Sequence, residues 1–570
     1  MLDRVLRNGR IIDGTGAEER VGDVGIDGGR IVAVGEVTER GQEELDCAGL
    51  LVTPGWVDLH THYDGQATWD PYLSPSGWHG VTTAILGNCG VGFAPCRVAD
   101  RDWLVQVMEG VEDIPGSALH EGIRWDWETF PEYIDALGRL PFALDVGTQV
   151  PHAAVRGYVM GQRASENDPP TAAQIAEMAR VVEEGLRAGA LGFTTSRTPL
   201  HKTAEGVPVA GTYSPIEELL GLAAALKRAG HGVFEIAPDH LMATQEFPWL
   251  ERIARETGRN VVFNLSQTDQ HPTLWREGLA LLERAAADGV PIFGQCAGRA
   301  IGILMTWRGT AHPFVRSPTF QALAQRPWPD QLAALRDPEV RAKLLSERPG
   351  ELTPFEAFVT QTFAKMFPMG TANYEPSPDQ SLAAMGQRTG RAPLAIAYDL
   401  MMERDGEGML YFPLFNYSDG HLDLLHELHQ HPRTVMGLAD GGAHCGAICD
   451  GGMPTFMLAY WARDRARGRL PLEHVVKRQT RDTAAFYGLH DRGVIAPGYK
   501  ADLNVIDFER LALQAPKLAF DLPAGGRRLT QDAVGYRATF VSGRKVAEDG
   551  RPTGELPGAV LRGPAAAPRA

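Results

Sequence analysis

Four residues of this 570-residue chain have the types and positions needed to bind a metal ion and to move a proton. His60 and His62 close the apolar segment GWVDLHTHYD, and strand residues two apart point the same way, so both imidazoles can face one metal ion. Cys89 ends the segment VTTAILGNCG and offers a thiolate ligand. Asp440 ends TVMGLAD, where a carboxylate can serve as general base and then general acid. The pattern predicts metal-assisted hydrolysis.

Each of these residues also has a simpler interpretation. Paired histidines can be hydrogen-bonded core residues, and a single buried cysteine usually behaves as a small hydrophobe. An aspartate before Gly-Gly often just starts a turn. Cys445 and Cys449 could suggest a second metal site, but a pair without further partners is weak evidence for one.

The segments that carry these residues belong to an alternating pattern of strands and helices. Short apolar segments such as ALGFTTS, GVFEIAP, NVVFNLS and VPIFGQC alternate with helical patterns, which is typical of parallel βα units. About eight strands are expected, and that number favours an α/β fold of the (β/α)₈ TIM-like barrel type. Active sites of such barrels lie at the carboxyl ends of the strands, where the four residues occur.

Two helix starts are indicated by capping boxes. Thr171-x-x-Gln174 precedes apolar residues at helical spacing, and Gly189 is expected to end that helix. Ser214 is followed by Pro215 and by Glu217, which predicts a second capped helix.

The rest of the chain divides around the barrel. Strand-like, glycine-punctuated segments at both ends predict one small composite β-sandwich domain from residues 1–54 and 490–550. The barrel is assigned to residues 55–300 and 400–489. Residues 301–399 read as a helical insertion between the last two barrel strands, and 551–570 as a loose tail. Two unrelated edge hairpins remain the alternative to the composite domain.

Three motifs together resemble the amidohydrolase superfamily and, within it, the D-aminoacylase (N-acyl-D-amino-acid deacylase) branch, in a long-chain subgroup. They are PGWVDLHTHYDGQ, GNCGVGFAP and GLADGGAH, with PGYKADLNVID closing the chain's second β-rich part. The resemblance implies a metal-dependent hydrolase of a linear amide, with zinc bound by His60, His62, Cys89 and Asp440. One ion is expected and two are possible. Asp440 is then the acid–base residue that passes a proton from water to the leaving amine.

The sequence departs from the branch at two strand ends. Family members usually place a histidine at the end of the fifth strand and another at the end of the sixth. Here those positions hold Ala237 and either Leu265 or Ser266. A shifted register could instead bring His240 or His271 to the site.

Substrate recognition is predicted from the same resemblance and from charge. His152 matches a histidine that orients substrate after the third strand. A substrate carboxylate should meet a guanidinium, so Arg299 is the first candidate and Arg197 the second, although either can be structural. Tyr63 and His444, which adjoin predicted metal ligands, complete the candidate substrate-binding residues.

Lysine scarcity restricts the metal chemistry. Only 8 of the 55 basic residues are lysines, and the first is Lys202. Many amidohydrolases bridge two metals with a carboxylated lysine at the end of the fourth strand, and no lysine occurs there. This also argues against a cyclic amide or imide hydrolase of the dihydropyrimidinase kind. A non-catalytic binding or scaffold protein on the same fold is the other alternative.

Composition excludes several function classes. The net charge of −16 disfavours nucleic-acid partners, and no apolar run is long enough to span a membrane. Without a signal-peptide core at the start, a cytoplasmic protein is expected. Its partner should be a small N-acyl substrate, with homo-oligomerisation possible.

Overall fold

The computed structural model describes residues 1–437 and 439–568. Two sheets of parallel strands occupy the middle of the chain. The first contains Trp56–Asp58, Val81–Leu86 and Asp145–Thr148. The second runs, in neighbour order, through Val150–Pro151, Gly192–Ser196, Val233–Ala237, Val261–Asn264, Ile292–Cys296 and Thr434–Met436.

Hydrogen bonds past the strand ends connect the two parallel sheets. On one side, the amide of His62 donates to Gly441 O over 2.8 Å, and the amide of Asp440 donates to His60 O over 3.0 Å. On the other, the amide of Leu191, just before Gly192–Ser196, donates to Thr148 O over 2.8 Å. The carboxyl ends of the first and last parallel strands therefore lie side by side, which places the predicted metal ligands next to one another.

Helices follow most of the parallel strands and cover their outer faces. The longest, Ala172–Ala188, begins at the predicted capping box, where Thr171 accepts from the Gln174 amide, and ends at Gly189 with φ of 122°. The other helices of this part are Arg101–Glu112, Gly116–Gly122, Phe130–Gly138, His152–Met160, Gln162–Ser165, Ile216–Ala229, Phe247–Thr257, Leu274–Ala287, Asp423–Gln430, Met453–Phe456, Leu472–Gln479 and Arg481–Phe486, with a π-helix at Met457–Asp464.

The capping box predicted at Ser214 is wrong. The helix there starts at Ile216 after Pro215, and no side chain caps it. The Ser214 hydroxyl instead accepts from the buried Arg156 guanidinium at 2.8 Å. This buried cation also pairs with Glu218, and its claim on the Ser214 oxygen is not revealed by the sequence motif alone.

A nine-stranded sheet is built from both ends of the chain. Its two contributions meet where Leu51–Pro54 pairs antiparallel with Leu503–Ile506. The remaining strands are Leu2–Ile11, Arg20–Asp27, Arg30–Gly35, Gly41–Asp46, Tyr536–Val541, Arg544–Glu548 and Arg551–Pro552. Alternating apolar side chains of both halves, among them Leu6, Val24 and Phe540, form one buried cluster. Two small hairpin-like pairs, Ala512–Leu513 with Ala533–Val534 and Lys517–Leu522 with Gly526–Thr530, lie between its last strands.

The segment between the last two parallel strands contains a sheet as well as helices. Ile301–Met305, Leu410–Phe415 and Phe367–Pro368 form three antiparallel strands, although residues 301–399 were expected to be helical. The first strand, IGILM, is a short, continuously apolar and buried run, which periodicity alone does not distinguish from a buried helix segment. The helices are Pro318–Ala324, Trp328–Leu335, Pro338–Ser346, Pro354–Gln361, Leu382–Thr389 and Pro393–Gly406. Trp307, Phe320 and Tyr398 lie at the centre of a separate hydrophobic core.

The expectation of a loose tail after residue 550 is wrong for the residues that the structure describes. Gly558 donates to Phe142 O, Leu561 to Val146 O and Gly563 to Gly189 O, each over 2.8 Å. The segment therefore runs along the amino ends of the parallel strands, where exposed strand-end amides and carbonyls give a Pro- and Gly-rich chain its partners. Within residues 1–437 and 439–568, no helix has the length and apolar character required to cross a bilayer.

Candidate active site

His60 and His62 are both buried just past the end of Trp56–Asp58. The Nδ1 atom of His60 lies 2.8 Å from Gln295 Oε1, which leaves its Nε2 directed into a cavity. The intervening Thr61 points away and donates to Ile85 O at 2.8 Å. Both imidazoles line the same cavity, as the alternation along the segment predicts.

Cys89 reaches the two histidines because of an unusual backbone conformation. Its φ is +54°, between Gly87 at +79° and Gly90 at +73°, a left-handed stretch that two flanking glycines make accessible. The Cys89 Sγ atom lies 3.2 Å from His60 Nε2. Burial, together with the charges of Glu235 and Asp440, raises the pKa of this thiol well above its ordinary value. A bound cation is therefore needed to hold it as a thiolate.

Asp440 completes the group and lies just after Thr434–Met436, the last of the parallel strands. Its Oδ1 atom lies 3.4 Å from His60 Nε2 and 3.5 Å from His62 Nε2. Burial opposes its ionisation, but the hydrogen bond to His62 and the nearby imidazoles hold the pKa of Asp440 below its usual range. The carboxylate is ionised at neutral pH and can accept a proton. Its φ of +50° is a strained conformation for a non-glycine residue, which is common at functional sites.

The spacing of these atoms fits a tetrahedral zinc ion. Bond lengths of about 2.0–2.3 Å to nitrogen, oxygen and sulfur place neighbouring tetrahedral ligands roughly 3.3–3.6 Å apart. The distances of 3.2, 3.4 and 3.5 Å between the four side chains lie close to this range. Among residues 1–437 and 439–568, His60, His62 and Cys89 form the one group of three histidine, cysteine or acidic residues close enough to hold a metal ion.

Glu112 is a site residue that the sequence did not indicate. It ends the helix Arg101–Glu112, is 1% exposed, and places Oε1 3.0 Å from His62 Nδ1. Burial lowers the pKa of His62, but the charges of Glu112 and Asp440 outweigh this and raise the pKa to about 9. A carboxylate behind a metal-binding histidine fixes the ring orientation and increases its basicity. Its position depends on how a helix packs over the strand ends, which no local motif encodes.

The two strand ends that lack the expected histidines hold other residues. Ala237 and Asn264 line the cavity where the fifth and sixth strands end. Glu235 accepts from the Cys89 amide at 3.0 Å, and burial raises the pKa of its carboxyl to about 8. His240 lines the cavity, with its ring 4.7 Å from that of Phe415, but it is outside the metal-binding group.

His271 and Leu265 lie away from the cavity. His271 is exposed in the loop after the sixth strand, so a shifted register does not bring it to the site. Leu265 packs in the hydrophobic core, whereas the next residue, Ser266, lines the cavity.

Three of the four predicted substrate-binding residues do not line the cavity, because the side chain of each contacts buried partners instead. His152 lies 2.8 Å from Thr195 Oγ1 and 2.9 Å from Glu218 Oε1. The Tyr63 hydroxyl lies 2.7 Å from Ser76 Oγ. None of them lines the cavity. Position beside a strand end does not determine which way a side chain turns.

Arg299 is the third of these. Its guanidinium is 1% exposed, lies 2.7 Å from Asp450 and 3.6 Å from the Tyr374 ring, and donates to Cys449 O. The second candidate, Arg197, pairs with Glu246 at 3.3 Å. Both arginines are structural. The fourth predicted residue, His444, does line the cavity, with Nε2 4.0 Å from Glu112 Oε2.

The cavity above the four side chains has a volume of about 340 Å³, which is enough for a small organic molecule. Cys445 and Cys449 are buried as free thiols and take no part in a metal-binding group. His201 lines the wall and was not predicted, since it lies in a loop five residues past Gly192–Ser196; its Nδ1 is 2.9 Å from Ser196 Oγ.

Comparisons with known proteins agree with this arrangement. The pattern of the amidohydrolase family matches residues 43–547. The chain is 29% identical to a D-aminoacylase of Alcaligenes xylosoxydans xylosoxydans over 98% of this chain and 97% of that protein. It is 28% identical to the N-acyl-D-aspartate deacylase of the same organism, over 98% and 95% of the two chains.

Two solved structures are similar to this chain over nearly its whole length. A crystal structure of D-aminoacylase superposes with a TM-score of 0.66 at 23% identity, covering 99% of this chain and all of that one. The N-acyl-D-glutamate deacylase of Bordetella bronchiseptica, in complex with zinc and a phosphonate inhibitor, superposes with a TM-score of 0.64 at 25% identity, covering 98% and 99%. With the family pattern spanning most of its length, the chain belongs to the amidohydrolase family.

Proposed function

We propose that this protein is a zinc-dependent amidohydrolase that cleaves a linear amide, an N-acyl-D-amino acid or a similar N-acyl compound. One observation carries the proposal: His60, His62, Cys89 and Asp440 converge at the floor of a substrate-sized cavity. Full-length similarity to D-aminoacylases and deacylases supports the choice of a linear amide over a cyclic one.

A single zinc ion is the occupancy that these side chains favour. His60, His62 and Cys89 would supply three ligands with Asp440 beside them, which leaves a fourth position open to water, as in catalytic zinc sites. The positions that would complete a second site hold Ala237 and Asn264, and no lysine lines the cavity in the described part of the chain. The zinc ion, when bound, supplies Lewis-acid polarisation of the amide carbonyl and a lowered pKa for attacking water.

Asp440 is proposed as the acid–base residue. Its carboxylate is ionised at neutral pH and is held between two imidazoles, so it can take a proton from water as the oxygen attacks the acyl carbon. It then returns the proton to the leaving nitrogen as the carbon–nitrogen bond breaks. His444 lines the same cavity and could donate a hydrogen bond to the substrate.

The architecture is proposed to be a (β/α)₈ barrel with added parts. The parallel strands from Trp56 to Met436, connected at both sheet junctions, support a closed barrel formed by residues 55–300 and 400–489. Residues 1–54 and 490–550 form the composite β domain under this assignment, and 301–399 the insertion between the last two barrel strands. The short C-terminal segment then runs along the amino ends of the barrel strands.

Turnover of a substrate panel by zinc-loaded protein tests this function. The panel comprises N-acyl-D- and N-acyl-L-amino acids, their amides, and a cyclic hydantoin and dihydropyrimidine. We expect hydrolysis of linear compounds, loss of activity on chelation and recovery with zinc. Asp440→Asn should lower kcat by about 10²–10⁴-fold, the range typical of general acid–base catalysis.

One control variant and two contrary results distinguish this function from its alternatives. Asp102→Asn, an exposed carboxylate on the helix that carries Glu112, should leave kcat unchanged. Protein that binds no zinc and hydrolyses no member of the panel would support the scaffold alternative instead. Faster turnover of the cyclic compounds would support a dihydropyrimidinase-like enzyme.

A further inference from the structure

The wall of the catalytic cavity carries no lysine or arginine, as far as the described residues show. Arg299 is paired with Asp450 in the protein interior, and the partly buried Arg197 is paired with Glu246. Lys202 follows a cavity residue but is itself exposed and lies outside the wall. Apart from the proposed metal ion, a substrate carboxylate would therefore meet no lysine or arginine of the described wall.

Two histidines of the wall, His201 and His240, do not replace a lysine or arginine. Burial lowers the pKa of His201 to about 3 and that of His240 to about 4. Both rings are therefore neutral at neutral pH and can contribute hydrogen bonds but no charge. Arg527, which is not among the lining residues, donates to Arg308 O at 2.8 Å and to Thr310 Oγ1 at 3.1 Å, and its charge favours the ionised form of Asp113.

One side of the cavity is instead acidic. Glu109, Glu112 and Asp113 all come from the end of the helix Arg101–Glu112 and line the wall. The Gly446 amide donates to Asp113 Oδ2 at 3.1 Å, and the Thr310 hydroxyl also donates to it, so this carboxylate is fixed in place. An anionic group on this side would be repelled in a partly desolvated site.

The opposite side is apolar and reaches the surface. Ile301, Ile303, Leu414 and Phe415, which belong to the antiparallel strands of the insertion, line it. Leu200 and Phe355 line its outer part and are 45% and 42% exposed. Burial of such side chains against an acyl chain contributes about 25 cal/mol per Å². This side suits an apolar acyl group.

We propose that the substrate is an N-acyl amide with an apolar acyl group. Its amine half bears no free carboxylate and is neutral or positively charged. This rests on the proposed amide hydrolysis and, among the N-acyl compounds proposed for the same site, favours those other than N-acyl amino acids with a free carboxylate. The acidic side faces the amine half, and the apolar side faces the acyl half. Removal of a carboxylate from an N-acyl amino acid, by amidation, should therefore improve the substrate.

Three matched compounds test the proposal: N-octanoyl-D-leucine, its carboxamide N-octanoyl-D-leucinamide, and N-octanoyl-1,4-diaminobutane. For zinc-loaded protein, we expect kcat/KM for the carboxamide and for the cationic amide to exceed that for the acid by at least about tenfold. A tenfold difference corresponds to about 1.4 kcal/mol, which we assign to one unfavourable charge contact. Added salt should narrow the difference by screening. Equal or faster turnover of the acid would overturn the proposal.

Variants identify the source of the preference. Asp113→Asn and Glu109→Gln should each reduce the discrimination against the acid severalfold, whereas Asp102→Asn, exposed on the same helix, should not. If Asp113→Asn and Glu109→Gln both keep the parent's ratio of kcat/KM for the carboxamide to that for the acid, these carboxylates are not the source of the preference. Lys202→Gln should also leave the discrimination against the acid unchanged, since the Lys202 side chain lies outside the cavity wall.

Affinity measurements with compounds that cannot be hydrolysed distinguish failure of this proposal from failure of the proposed function. Ketone analogues of the three compounds, with the amide nitrogen replaced by a methylene group, cannot be hydrolysed, and their affinity is measured by calorimetry. If no amide is turned over, the proposed function fails, and the analogues still decide the charge preference. Tighter binding of the acid analogue would overturn the inference even if hydrolysis is observed.

Discussion

The two metal-facing imidazoles are oriented by partners on their far sides. Gln295 lies 2.8 Å from His60 Nδ1, and Glu112 lies 3.0 Å from His62 Nδ1. Each contact leaves Nε2 directed at Cys89 or Asp440. A preoriented ring loses little rotational freedom on binding a metal ion, and partners of this type contribute substantially to metal affinity.

Glu112→Gln should therefore weaken zinc binding by about 10–100-fold, while the protein remains folded, because the amide keeps the shape but loses the charge behind His62. Competition with a chromophoric chelator measures the affinity. Glu109→Gln, on the same helix but outside the His62 contact, is the matched control and should bind zinc like the parent. An unchanged affinity in Glu112→Gln would show that this carboxylate does not support the metal site.

Residue-scale prediction succeeded where position along a strand determines direction. His60 and His62 share a side because of strand alternation, and their convergence with Asp440 follows from the adjacency of the strand ends. It failed for His152 and Arg299, since each turns toward a buried carboxylate supplied by a distant segment. Glu112 and Gln295 could not be identified, because their contacts arise only from packing between elements.

At the scale of elements, Asp145 connects a central parallel strand to the C-terminal part of the chain. Its carboxylate lies 2.6 Å from both the Arg492 guanidinium and the Lys500 ammonium group, and it accepts from the Ala559 amide at 2.9 Å. Burial raises its pKa, but the charges of Lys500 and Arg492 outweigh this and hold the pKa below its usual range.

Asp145→Asn should lower the free energy of unfolding by about 3–5 kcal/mol at neutral pH, the usual cost of removing one partner of a buried ion pair. The folded-state pKa is depressed, so the contribution is complete above the unfolded pKa of about 3.9 and is lost as pH falls through the folded pKa. Unfolding midpoints of parent and variant should therefore converge on acidification. Asp135→Asn, which removes an exposed pair with Arg562, is the control and should have little effect.

Element prediction was most reliable for strongly periodic segments. The capping box at Thr171 and the helix that follows are confirmed, because local hydrogen bonds determine that start. Ser214 failed for the opposite reason, as a buried arginine takes its hydroxyl. The strands Ile301–Met305 and Leu410–Phe415 were not predicted, because they pair across more than a hundred residues.

At the scale of the whole molecule, the last described residues connect several parts of the fold. Residues 558–565 make backbone hydrogen bonds to segments near residues 142, 146, 189 and 488. Removal of residues 557–570 should lower the free energy of unfolding by several kcal/mol, at about 0.5–1.5 kcal/mol for each lost hydrogen bond. Thermal unfolding measures this. Arg562→Gln, which removes only an exposed ion pair, should not reproduce the loss.

The whole-molecule composition also bears on the site. Lysine is absent before Lys202, and the strand Gly192–Ser196 ends without one, so a carboxylated-lysine bridge has no residue to form it. With Ala237 and Asn264 at the next two strand ends, the cavity offers one complete set of zinc ligands among the described residues. A single-ion amidohydrolase is therefore the central claim.

Anomalous diffraction at the zinc edge, from crystals of zinc-loaded protein, tests that claim most directly. We expect one strong peak, at roughly 2.0–2.3 Å from His60 Nε2, His62 Nε2 and Cys89 Sγ, with Asp440 adjacent. A map without a peak among these atoms, or with a second peak of equal height beside Glu235 and Asn264, would contradict it.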